Sequence, residues 1–225
     1  MPASFVLKYT VFFVNDEVDT EILTDLSDSF YESDYDIAAL MKLIFTSDWF
    51  YEKKNRGVKI KSPLELLLGL NRSFSVRYED PDVLLYIQKL LGQQLFFPPN
   101  VSGWVGRKTW IDSSSLMLRL KLPSVLLNNG IIDLEEKQEP EEYRTMKQKQ
   151  EEKNQSKIQK KVKTTAGWEY FLATLPKEMN KMDLADFLLQ AELPEEVMEL
   201  ISEPEQNNLK KTIIQLLSLP EYQMC

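Results

Sequence analysis

Apolar positions recur along this chain at three- and four-residue spacing almost from end to end, the pattern of helices that bury one face. The first stretch, Phe5 to Val14, reads as a buried helix. Asp19 then stands ahead of Ile22, Leu23, Leu26 and Phe30, where a side-chain oxygen can cap the free N–H groups of a new helix. Asp36 holds the same position before Ile37, Leu40, Met41, Ile44 and Phe45. Ser62-Pro63-Leu64-Glu65 is a strong start signal: serine caps, proline takes the first helical position, and glutamate completes a capping box. That helix offers Leu66, Leu67 and Leu70 and runs to about Phe74, with Arg72 favouring the negative pole at its end. Asp80-Pro81-Asp82 opens a helix through Val83, Leu84, Ile87, Leu90 and Leu91, and Gly92 predicts a left-handed C-cap.

Asp112 or Ser113 is placed to cap a helix carrying Leu116, Leu118, Leu120 and Leu122, which Pro123 is predicted to bend or end. Further on, Asp183 is expected to cap a helix through Leu184, Phe187 and Leu188. Pro194 opens another over Val197, Leu200 and Ile201, and a last one runs from about Asn208 to Ser218. Ile44 to Phe50 lines up with Leu216 to Tyr222 as a weak internal repeat: a helix end, a polar turn and an aromatic. Strand-like alternation of useful length is absent from the sequence. The expected fold is all-α, an orthogonal or irregular multi-helix bundle.

Three stretches break the pattern. Lys53 to Lys61 is basic and reads as a solvated connection, a contact to phosphate or an acidic partner being the alternative. Residues 92–111 form a long loop with Phe96, Phe97, Trp104, Trp110, a Pro98-Pro99 pair and glycines. Its aromatics argue against disorder, so an ordered loop pinned by those rings is expected. Trp104 and Trp110 are the expected anchors and Arg107 the exposed member. From 133 to 165 acidic residues give way to lysines and large apolar residues nearly vanish, the composition of a charged insertion or linker. The expected organisation is therefore a helical domain over 1–132, the insertion over 133–165, and C-terminal helices over 166–225 on the same body.

Composition removes several kinds of chemistry. Among 225 residues there is no histidine, and Cys225 is the one cysteine. Triads that need histidine, histidine-held metals and thiolate clusters are excluded, so no metal and no cofactor are expected. Asp34 and Asp36 read as helix-capping residues rather than as cation ligands, because no third ligand stands at a calcium-loop spacing. The formal charge of −8 argues against nucleic acid as the main partner. No apolar run reaches the roughly 20 residues of a membrane span. Phe5 to Val14 carries Lys8 and ends in Asn15-Asp16-Glu17, unlike a cleavable signal sequence.

A series of unusual elements occurs in order: Lys61-Ser62-Pro63-Leu64-Glu65, then Leu91-Gly92-Gln93-Gln94-Leu95-Phe96, then Pro98-Pro99-Asn100-Val101-Ser102-Gly103-Trp104. Trp110 to Ser114, Leu118 and Leu120 around Arg119, and Leu217 to Tyr222 continue it. This series resembles a large bacterial family, domain of unknown function 1800. The resemblance implies that the chain corresponds to the C-terminal half of a typical member. It further implies export of full-length members and a protein partner from a sulfatase-like exported family. It brings no reaction and no catalytic residue.

Two functions follow. One is a non-catalytic helical binding or scaffolding module whose contact surface is the loop, with Trp104, Arg107, Trp110, Asp112 and Arg119 as binding residues. The other is the C-terminal half of an enzyme, its pocket completed elsewhere, with Asp112, Arg119, Arg72 and Glu65 as candidate polar groups. No carboxylate pair stands out as an acid–base couple, so the sequence argues against catalysis by this chain.

Overall fold

The computed structural model describes residues 2–128, 162–176, 179–204 and 208–225. They form ten α-helices, short 3-10 turns and one two-residue strand pair, so the fold is helical. The chain divides into two compact units, Met1–Lys59 together with Cys225, and Ile60–Met224.

The first unit is built from α1 (Pro2–Phe13), α2 (Thr20–Glu32) and α3 (Ile37–Thr46). The expected caps are in place. The Asp19 side chain accepts from Glu21 N–H, and that of Asp36 from Ala38 and Ala39 N–H. Val6, Val14, Leu26, Phe30, Leu40 and Ile44 make the core, with Phe45, Trp49 and Phe50 packed against it. The Phe5 ring lies parallel to Phe30 at 5.2 Å between centroids. α1 is not the wholly buried helix its apolar run suggests. Of its residues only Val6 and Thr10 are buried, while Phe12 is 65% exposed. A helix turns about 100° per residue, so a continuous apolar run faces every direction while neighbouring helices cover one stripe. The Lys59 ammonium compensates in part, standing 4.8 Å above the Phe12 ring and donating to the Phe12 carbonyl.

The second unit begins with α4 (Pro63–Ser73), whose capping box is present in full: Ser62 Oγ accepts from Glu65 N–H and Glu65 Oε2 from Ser62 N–H. α5 (Asp82–Leu91) ends at Gly92, which has φ +83 as the left-handed cap requires. α6 (Ser113–Leu127) starts from Asp112 and runs through Pro123, so of the two expected outcomes the helix does not end there. Leu122, Val125, Leu126 and Leu127 are buried around that proline. Their burial outweighs the one backbone bond that Pro123 cannot donate.

Four shorter helices complete this unit: α7 (Trp168–Thr174), α8 (Lys181–Leu188), α9 (Glu195–Leu200) and α10 (Leu209–Leu217). α8 is capped three residues earlier than expected. Asn180 accepts from Met182 and Asp183 N–H, and Asp183 answers as the third residue of the box by accepting from Asn180 N–H. Phe74, Trp168 and Phe171 make an aromatic nucleus, with 4.2 Å between the Phe74 and Phe171 centroids. Gly167 allows this close approach. Its N–H donates to Phe74 O at 2.7 Å, and a Cβ there would lie 3.1 Å from Ser75 Cβ.

The weak repeat has a structural counterpart. α3 ends in Thr46, Ser47 is extended, and a 3-10 turn spans Asp48–Tyr51; α10 ends in Leu217, Leu219 is extended, and a 3-10 turn spans Pro220–Gln223.

Residues 129–161, most of the charged stretch, lie outside the described residues. Its last part is built into the second unit: β1 (Arg77–Tyr78) pairs antiparallel with β2 (Thr164–Thr165), and Thr164 Oγ1 donates to Leu126 O at 2.7 Å. Val162 is fully buried in the core. A lone valine among lysines and threonines gives no periodicity, so composition cannot reveal it. Val162→Ala is expected to lower stability by roughly 2 kcal/mol, since it deletes two buried methyl groups and leaves a small void. Urea unfolding of both chains checks this, and an unchanged midpoint would remove Val162 from the core.

Candidate functional site

The loop after α5 is held by amides and backbone turns rather than by its rings. Gln88 Oε1 accepts from Leu95 N–H and Gln93 Oε1 from Leu64 N–H, both at 3.0 Å. Asn100 folds the next turn, its Oδ1 accepting from Ser102 N–H and its carbonyl from Gly103 N–H. Gly103 and Gly106 take φ near +80, which glycine adopts without penalty. A 3-10 turn over Arg107–Trp110 leads into α6.

The rings that were expected to pin the loop stand differently. Phe96 is 86% exposed, Phe97 69%, Val101 fully exposed and Val105 81%. Trp104 and Trp110 are half-buried, and neither packs against either core cluster. Among the described residues, no aromatic pair includes any of the loop's four rings. Arg107 is exposed, as expected, and both Phe96 (φ +66) and Arg107 (φ +57) hold left-handed backbone angles. A bulky residue in that region costs of order 1–2 kcal/mol.

Asp112 is exposed and employed as a cap: Oδ1 accepts from Ser115 N–H at 2.8 Å. Ser115 Oγ in turn donates to the Trp110 carbonyl at 3.0 Å, tying the loop's end to the first turn of α6.

Arg119, two turns further on, is fully buried. Its Nε donates to Gln223 Oε1 at 3.0 Å and its Nη2 to the Lys61 carbonyl at 2.5 Å. Burial pulls its guanidinium down to about 10, with the Glu65 carboxylate acting the other way, so it remains a cation at neutral pH. Among the described residues, Arg119 Nη1, Gln223 Nε2 and Glu221 Oε2 are buried without a protein partner. Lys61 lies on the Tyr222 ring, 3.9 Å from its centroid, and donates to the Tyr222 carbonyl at 2.7 Å. Burial also pushes the Tyr222 phenol up to about 12.

The five residues singled out in the sequence thus separate. Trp104, Arg107, Trp110 and Asp112 lie along the loop and its junction with α6, and Arg119 is turned into the interior. Glu65 and Arg72, the other candidates, sit in the capping box and the last turn of α4. Sequence reading missed Lys61 and Gln223 as the partners of Arg119. The signal was within reach, since Lys61 opens one quoted motif and Gln223 follows the last one directly. A separate open recess of about 490 Å³, lined by Ser124, Asn128, Lys210, Lys211, Ile214, Gln215 and Ser218, holds no carboxylate. Arg119→Met is expected to cost about 3 kcal/mol or more, because it strips hydrogen-bond donors from a buried amide and a carbonyl. Trp104→Ala should cost less than the roughly 3–5 kcal/mol of a fully buried aromatic. Paired denaturant titrations rank the two, and the reverse order would contradict these positions.

Comparison with known proteins places the chain. No curated protein and no solved structure matches it. The family described as "Protein of unknown function (DUF1800)" matches residues 3–224. With nearly its whole length matched, the chain belongs to the DUF1800 family.

Proposed function

We propose that this chain is a non-catalytic helical binding or scaffolding module whose contact surface is the loop at 92–111. The observation that carries the reading is the row of apolar side chains at Phe96, Phe97, Val101 and Val105, which the fold leaves in solvent. Clustered exposed apolar side chains, unlike single ones, mark interaction sites. Positive φ at Phe96 and Arg107 places local strain in the loop, a pattern concentrated at functional segments. Half-buried Trp104 and Trp110 and exposed Arg107 supply the residue types enriched at binding hot spots. A protein partner, such as the exported one implied by the family resemblance, would bury the apolar row and approach Arg107 and Lys108.

The enzyme alternative has less behind it. Asp112 and Glu65 are engaged in caps, and the Arg119 guanidinium is used inside the fold. Phe97→Ser and Arg107→Ala are each expected to change stability by less than about 0.5 kcal/mol, the usual size for exposed positions, while weakening retention of bound protein on the immobilised chain. Thermal melts paired with capture from a lysate of the producing cell test this. An unchanged set of retained proteins with both variants removes the loop as the contact surface.

A further inference from the structure

The first unit carries a surface complementary to the loop. Between Lys8 and Lys42 the sequence contains no lysine or arginine, while carboxylates recur throughout. Near the end of α2, Tyr31 is 62% exposed and Tyr35 48%, their rings edge-to-face at 5.8 Å. Asp28 and Glu32 are exposed on the same helix, and Asp28 is one helical turn from Tyr31. Asp34 (φ +55) and Tyr35 (φ +64) both hold left-handed angles, and a second edge-to-face contact, Phe30 to Tyr35 at 5.4 Å, fixes Tyr35 to the core. The first unit thus presents an aromatic patch beside carboxylates.

The loop has the opposite makeup. From Gly92 to Ile111 its charged residues are Arg107 and Lys108 alone, in a chain of net charge −8. Exposed phenylalanines and valines accompany them.

Resting on the reading of the loop as a contact surface, we propose that its partner is a second copy of this chain: the loop of one copy docks on the Tyr31–Tyr35 patch of another. Rings meet rings in the centre, and Arg107 and Lys108 face Asp28 and Glu32 at the rim. Each contact pairs two different surfaces, the loop of one copy and the patch of another, and every copy carries both. Opposed rim charges give such a contact its specificity and make it weaken with salt.

The test is light scattering of the full chain over a concentration series at about 0.05 M and about 0.5 M salt, a range across which screening between exposed charges strengthens strongly. The average mass should rise above 26.3 kDa with concentration at low salt and fall back toward it at high salt. Arg107→Glu with Lys108→Glu should weaken association at least tenfold, and so should Asp28→Lys with Glu32→Lys. Mixing the two reversed chains should restore it, since each loop then meets a patch of opposite charge. Phe97→Ser, which changes no charge, should weaken association as well, and circular dichroism verifies that every variant keeps its helices. A chain that stays at monomer mass at all concentrations overturns the proposal, as does a mixture that fails to associate. If self-association is absent but Phe97→Ser still abolishes capture of another protein, the second copy is the wrong partner and the loop remains a contact surface. If neither responds to the loop variants, both readings fall.

Discussion

A fully buried arginine with no carboxylate bonded to it among the described residues is the constraint around which the second unit is arranged. A guanidinium carries five donors in a fixed plane, and burying it without partners is costly. Arg119 meets part of that demand with one side-chain amide and one backbone carbonyl from parts of the chain far apart in sequence, Gln223 and Lys61. Lys61 N–H donates in turn to the Gln223 carbonyl, and Ile60 bridges to Met224. The middle of α6, the approach to α4 and the turn after α10 are thereby fixed to one another. Hydrophobic burial supplies most of the stabilisation and is non-directional. The arginine adds direction, because two bonds from one planar group admit few arrangements of the segments that receive them.

Features set by local chemistry were legible in the sequence. Ser62 with Glu65, Asp19, Asp36, Gly92 and Asp112 all hold the positions read from spacing, because capping involves residues within one turn. Features set by distant packing were not. Whether Pro123 ends the helix or lies within it could not be read locally, and the helix continues because its neighbours are buried on the core. Asn180 displaces Asp183 as the cap, although both residue types suit either position. Val162 and the Thr164–Thr165 pair have no periodic signal, and the β1 partners of Thr164 and Thr165 are more than eighty positions away.

The candidate site divides along the same line. That the loop would depend on glycines followed from its composition, and Arg107 was expected at the surface. That its rings would face solvent did not follow. Phe96 and Phe97 have the composition of core anchors, and only the count of apolar partners around them decides whether a core is there to receive them. The amides of Gln88 and Gln93 and the Asn100 turn order the backbone first, leaving the rings outward. Arg119 is the converse case. A charged residue on a leucine-rich helix reads as a surface or binding group until its distant acceptors, Lys61 and Gln223, are known.

The repeated helix end shows how one local device takes on different work in each setting. Ser47 and Leu219 are both extended residues between an α-helix and a 3-10 turn, and each turn returns the chain onto its own core. In the first unit the turn places Trp49 and Phe50 against the apolar cluster. In the second it buries Tyr222 and also delivers Gln223 to the guanidinium. The backbone geometry is common to both, and the side chain carried one position beyond the aromatic decides the outcome. Tyr51, at that position in the first unit, stays exposed and donates to the Phe45 carbonyl. Gln223 is fixed by Arg119 because an amide can accept from a buried cation where a phenol directed to solvent has none to meet. The acceptor that meets the buried guanidinium in the second unit is thus carried by a turn whose counterpart in the first unit carries a phenol exposed to solvent.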